Sequence, residues 1–271
     1  MYSGISGMRG FQTKLDVIGN NIANVNTSGF KKGRVTFQDM MSQTSQGAQA
    51  ATANRGGVNP MQVGLGSQVG SIDNIHTQGF SQSTGNTFDF AIQGNGMFAV
   101  THGDATYYTR AGNFSLDDDG TIVSADGYTL QGFAADESGD IILGSTGPME
   151  IPANAQSISI SDDGAINYNN EDGEPQVAGY IALSNFSNPA GLEKIGGNLY
   201  ANSPNAGLGE DFLQPDNEGM GKIVASTLEM SNVDLAEEFT EMIVAQRGFQ
   251  ANTRIITTSD EILQELVNLK R

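Results

Sequence analysis

The C-terminal end constrains this chain more than any other stretch. Leu228, Leu235, Met242, Phe249, Ile256 and Leu263 recur every seven residues, and Phe239, Ala245, Ile255, Ile262, Leu266 and Leu269 widen the stripe. Glu237, Glu238, Glu241, Arg247, Arg254 and Glu261 take the polar positions between them. A seven-residue apolar recurrence puts its members along one side of an α-helix. Ser231 with Asp234, and Asp234 with Glu237, have the spacing of a helix start. The pattern predicts a helix over about 233–268. At 1.5 Å per residue it would run about 50 Å, too long for an ordinary globular domain without a long partner.

The N-terminus offers that partner. Met8, Leu15 and Ile22 are seven apart, and Phe11, Ile18 and Val25 each follow one of them by three. Gly4, Gly7, Gly10 and Gly19 each lower helix propensity by about 1 kcal/mol against alanine, so packing must hold this helix. The two ends are expected to pair as a coiled coil. In the free monomer their apolar seams would lack lattice partners, and the ends are expected to be disordered there. The helix stop is written in NNIANVNTSGFKKG. Asn20, Asn21 and Asn24 fall off the seam, free to bond neighbouring helices or cap backbone groups. Asn26, Thr27 and Ser28 end the helix, with Gly29 supplying a left-handed turn. Phe30 and the basic cluster after it lead into a connector.

Between the ends, short apolar runs alternate with turn residues. FDFAIQG, GMFAVT, TYYTRAG, NFSLD, GTIVSA, GYTLQGF, SISISD, GAINYN and GYIALSNF read as strands. NFSLDDDGTIVSADGYTL echoes SISISDDGAINYNNEDGE, which predicts two similar hairpins. Residues 41–60 lack periodicity and read as a flexible or extended connector, as do residues 206–222. The fold class is therefore α+β, mainly β: an antiparallel β body in mid-chain, with long N- and C-terminal helices. The expected domains are 1–30 with 229–271 (helical), 31–72 with 200–228 (connector) and 73–199 (β-rich).

Charge narrows the partners. Of 13 Lys and Arg residues only Arg110 and Lys194 lie between Gly56 and Gly221, a span with 21 of the 31 acids. So acidic a body does not suit nucleic acid, whose phosphates need the opposite sign. Without cysteine, disulfides and thiolate metal sites are excluded. No run approaches the roughly 18 apolar residues of a membrane helix, so membrane insertion is not expected, and no secretory signal with an apolar core is visible. Chemistry is equally thin. GLGSQVG lacks the dinucleotide spacing and reads as a turn, and no phosphate-loop motif occurs. His76 and His102 have no zinc or catalytic spacing and read as surface residues. Asp117, Asp118 and Asp119 before Gly120 form a turn rather than a calcium loop, whose twelfth position would fall on Tyr128. No catalytic residue, cofactor or metal is expected, and the chain does not read as an enzyme.

LDVIGNNIANVNTSGFKKGRVTF resembles the N-terminal signature of the bacterial flagellar rod and hook family of axial proteins. LEMSNVDLAEEFTEMIVAQRGFQANTRIITTSDEILQELVNLKR resembles the C-terminal signature of the same family, and VGLGSQVGSI, STGNTFDFAIQGNGMFAV and GLEKIGGNLY look familial too. Family members usually begin a few residues earlier, so Met1 is expected to be an internal methionine. The resemblance implies a structural subunit that leaves the cell through the flagellar type III export apparatus and self-assembles into a helical homopolymer. It is nearest to short hook members, implying a hollow joint that transmits torque from rod to filament. Its partners would then be copies of itself, the distal rod protein, the hook cap and the hook–filament junction proteins. The distal rod is the alternative, and a secreted carbohydrate-binding protein or enzyme a remote one. The implied self-assembly residues are Met8, Phe11, Leu15, Ile18, Asn20, Asn21, Ile22, Asn24, Val25, Gly29 and Phe30, with Leu235, Phe239, Met242, Phe249, Ile256, Leu263 and Leu266.

Overall fold

The computed structural model describes residues 2–50, 56–103, 105–135, 141–152, 154–170, 173–207, 212–216 and 219–269. It is mainly β, with antiparallel sheets and one helix at each end of the chain. The chain packs as two compact units. One gathers Met1–Ala23, Gly33–Ile75 and Asp234–Arg271; the other gathers Asn24–Lys32 and His76–Val233.

In the first unit α1 spans Tyr2–Ala23 and α2 spans Leu235–Leu269. Asp234 starts α2: its Oδ1 accepts hydrogen bonds from the backbone N–H of Ala236 (2.8 Å) and Glu237 (3.4 Å). Glu237 and Glu238 fill the first turn, where the helix dipole favours negative charge. Ser231, the other expected cap, instead accepts from the Val233 N–H at 3.3 Å. The remainder of this unit is a ribbon. Gly33–Asp39 pairs antiparallel with Ser67–Asn74, and Ser42–Gln46 with Met61–Gly64. Much of it falls where the sequence suggested a flexible or extended connector. The strands Ser42–Gln46 and Met61–Gly64 are exposed along their whole length, so no burial forces the apolar alternation by which a strand is recognised. The predicted connector residues 51–55 lie outside the described residues.

Helix α1 stops at Ala23, so Asn24 and Val25 lie beyond it. In the second unit the chain turns there, with Thr27 N–H donating to the Asn24 carbonyl and Phe30 N–H to that of Thr27. Gly29 has φ +71°, and a Cβ there would stand 2.5 Å from the backbone nitrogen of Ala111. Only glycine fits both conditions.

All nine predicted runs of the body hold strands. The main sheet orders Ser157–Ile160, Ala165–Asn169, Pro175–Ile181, Thr129–Ala135, Met97–His102, Ala105–Thr109, Leu199–Ala201 and Glu193–Gly196, every neighbour antiparallel. The two echoing segments are indeed twin hairpins. Phe114–Leu116 pairs with Ile122–Ser124, and Ser157–Ile160 with Ala165–Asn169. Their turns close alike, Gly120 N–H on the Asp117 carbonyl (3.0 Å) and Gly164 N–H on that of Ser161 (2.9 Å). The core is set by Phe90, Phe98 and Phe114, whose ring centroids lie 5.5–6.3 Å apart. Ile92, Val100, Ile122, Leu130, Ile166, Ile181 and Leu183 surround them, each contributing about 1.5–3 kcal/mol by its burial. Residues 200–228, read as a connector, supply Tyr200 and Ile223 to the interior and two strands, Lys222–Ala225 and Thr227–Glu229. Glycine, proline and acidic residues around those short strands masked them.

Candidate self-assembly surface

Contacts between α1 and α2 run in opposite directions along the two helices. Gly4 meets Ile256, Gly7 meets Asn252, and Phe11 meets Gly248. Thr253 donates to the Met8 sulfur, Lys14 pairs with Glu241, and Asn21 donates to Glu238 at 3.2 Å. The helices are therefore antiparallel. Their glycines permit the close approach: a Cβ on Gly7 would come within 2.8 Å of Asn252 Nδ2, and one on Gly248 within 2.6 Å of Phe11 Cζ. The cost in helix propensity is thus offset by packing.

Helical spacing puts Leu15, Ile18 and Ile22 on the side of α1 that carries Met8 and Phe11. On α2, Met242, Phe249 and Ile256 are half-buried. Between them fall Glu238, Ala245 and Asn252, at alternating spacings of three and four. Ala245 already belonged to the apolar stripe, but Glu238 and Asn252 are polar, so apolar periodicity could not reveal them as contacts. Leu235, Phe239, Leu263 and Leu266 are exposed and stand outside the intrachain contact. The whole of 260–269 is exposed as well.

Asn21 is used within the chain. Its amide donates to the Gly33 carbonyl and accepts from the Gly33 N–H, both at 2.9 Å, besides its bond to Glu238. It is buried, and these bonds fasten the start of the ribbon to the two helices within the chain. Asn20 is exposed and Asn24 half-buried. Phe30 is buried, with the Lys194 ammonium 4.7 Å above its ring.

Sequence reasoning missed the strongest electrostatic feature, which lies in the second unit. Glu229 receives Lys31 Nζ at 2.6 Å and Arg110 Nε at 2.8 Å, and the three side chains are 1%, 1% and 7% exposed. Lys31 also donates to the Thr77 carbonyl (2.8 Å), and Gly79 N–H to Glu229 (2.9 Å). Arg110 spends its remaining arms on the carbonyls of Gly94 and Gly96. The Glu229 carbonyl accepts the Gly29 N–H at 2.8 Å, Asn232 accepts the Lys32 N–H at 2.8 Å, and Lys194 donates to the Lys31 carbonyl at 3.2 Å. The segment leading into α2 is thereby locked to the turn that follows α1. A signal existed: both cations of the acidic span, Arg110 and Lys194, sit here.

Burial alone would raise the Glu229 carboxyl, but Arg110 and Lys31 outweigh it and hold it below the ordinary value. Desolvation lowers Lys31, opposed by Glu229. His76, expected at the surface, has both ring nitrogens buried without a partner among the described residues. Burial first, then the charges of Lys31, Lys194 and Arg110, push it down to about 4. His102 is exposed as expected. Among the described residues no three His, Asp or Glu side chains are grouped to hold a metal, and no helix is long and apolar enough to cross a membrane.

The chain carries one helix at each end, an antiparallel β body between them in sequence, and apolar residues left exposed on the C-terminal helix, the features of a structural subunit. Comparison with known proteins agrees. Residues 1–31 match the flagella basal body rod protein family, 91–168 the flagellar hook protein FlgE/F/G D1 domain, and 224–269 the flagellar basal body rod FlgEFG protein C-terminal family. The flagellar basal-body rod protein FlgG of Bacillus subtilis is 56% identical over 271 positions, covering all of this chain and 98% of its own. FlgG of Caulobacter vibrioides is 39% identical over 98% of this chain and 97% of its own. The flagellar hook protein FlgE of Borreliella burgdorferi is 33% identical, with all of this chain and 99% of that one aligned over 441 positions. The chain belongs to the flagellar hook and basal-body rod family, the structural proteins of the bacterial flagellar axis.

Proposed function

We propose that this chain is a rod subunit, the distal rod protein of the basal body, in place of the hook subunit that its sequence first suggested. One observation carries the reading: agreement with a rod protein position for position, 56% identical over 271 aligned positions that cover 98% of it. The match spans 271 positions with the Bacillus rod protein but stretches to 441 with the Borreliella hook protein, so the hook relative carries long segments that this chain lacks. In this reading the antiparallel α1–α2 pair acts as a coiled-coil seam in an inner layer of the tube. Leu235, Phe239, Leu263 and Leu266 meet other copies, and the acidic body keeps its charge solvated. The polymer is a hollow drive shaft that transmits torque to the hook. Export by the type III apparatus, self-association and contact with the hook protein follow from this role, and no catalytic step belongs to it. Electron microscopy of basal bodies from a deletion strain tests it. A truncated rod is expected; a complete rod lacking only its hook would return the assignment to the hook.

A further inference from the structure

Helix α2 carries more apolar surface than α1 covers. At 3.6 residues per turn, Val244, Ile255, Ile262, Leu266 and Leu269 form a stripe about 60–120° from the line that meets α1. All five are more than half exposed. The opposite side of α1 holds a groove of about 450 Å³ whose lining, mostly apolar, includes Tyr2, Ile5, Arg9, Leu65 and Val69. Tyr2, Ile5 and Arg9 lie about 120–180° around α1 from Phe11, the residue that meets α2.

A chain cannot fill its own groove. Helix α2 is unbroken from Leu235 to Leu269 and is held on the other side of α1 by the Phe11–Gly248, Lys14–Glu241 and Asn21–Glu238 contacts. We infer that the groove takes the Ile262–Leu266–Leu269 stripe of α2 from a second copy of this chain. Charge favours that occupant. Arg9 lines the groove, Glu265 borders the stripe, and neither forms an ion pair among the described residues. Groove and stripe are different patches, so their contact is head-to-tail, the kind that propagates from copy to copy as a helical array where its rotation does not close a ring. The inference rests on the rod reading and specifies which surfaces mate in it.

The absence of cysteine makes the test clean. Ile5→Cys and Leu266→Cys are introduced together into a complemented deletion strain, and isolated basal bodies are oxidised. The expected result is a ladder of dimers, trimers and larger species on non-reducing gels, with each single variant remaining monomeric. A functional assembly without that ladder overturns the inference while leaving the rod assignment intact; a complete rod in the deletion strain overturns the assignment instead. Independently, Arg9→Glu and Glu265→Arg should each reduce assembled rods at least about tenfold through like-charge contact, and the double exchange should restore them. Failure of the exchange to restore assembly counts against the pairing.

Discussion

Replacing Glu229 by glutamine keeps the shape of the side chain and removes its charge. Lys31 and Arg110 would then be left as buried cations without a counter-ion, at sites only 1% and 7% exposed. At 2.6–2.8 Å and an effective dielectric near 20, each pair gains roughly 6 kcal/mol before desolvation is charged against it. Breaking one buried pair costs about 3–5 kcal/mol net. The retained hydrogen bonds, from the Gly79 N–H to the side chain and from the Gly29 N–H to the backbone carbonyl, place Glu229→Gln at the lower end, about 3 kcal/mol. For a domain of this size that lowers the melting temperature by about 6–12 °C. Urea unfolding of the purified chain, followed through its β signal, measures the loss, with an unchanged slope expected because the surface exposed on unfolding is the same. Exchanging Lys31, Arg110 and Glu229 together for methionines should recover most of the loss, since an apolar cluster of similar volume is often as stable as a buried ion network. A loss below about 1 kcal/mol for Glu229→Gln would refute the claim that this cluster locks the segments on either side of the helices.

Acid should expose a second weak point. His76 takes its proton near 6.5 when unfolded and at about 4 when folded, so its contribution is complete above 6.5 and is lost as pH falls between those values. The full displacement corresponds to about 3 kcal/mol; partial exposure of the ring reduces this to about 1–2 kcal/mol. His76→Phe should flatten that part of the stability profile, and Glu229, held low by its cations, should add a further loss below its ordinary value of 4.5. In α2, Gly248→Val would overpack the contact with Phe11 by about 1–3 kcal/mol. Swimming of the complemented strain should fail while the β signal of the purified full-length variant still melts at the parent's temperature, and normal swimming would show that the helices need no such approach.

The sequence alone determined the elements that burial writes into residue order. Apolar recurrence located both helices, with α2 bounded within two residues. The nine strand-bearing runs of the body showed because residues such as Phe90, Phe98, Ile122 and Ile181 have to be apolar where they are enclosed. Gly29 was legible as a left-handed stop because no other residue suits that backbone. Tertiary structure alone decided the remainder. The ribbon strands Gly33–Asp39, Ser42–Gln46, Met61–Gly64 and Ser67–Asn74 are stabilised by pairing with one another, a contact that leaves little trace in an exposed polar sequence. Tyr200 and Ile223 belong to the core only because strands distant in sequence close over them. Asn21, Glu238 and Asn252 join the helices through positions that read as polar. Lys31, Arg110 and Glu229, 198 residues apart at their extremes, became one cluster only when folding brought them together. Local periodicity records which side of a segment is buried. It cannot record which distant charge will share the same enclosed space, because that depends on how the whole chain closes.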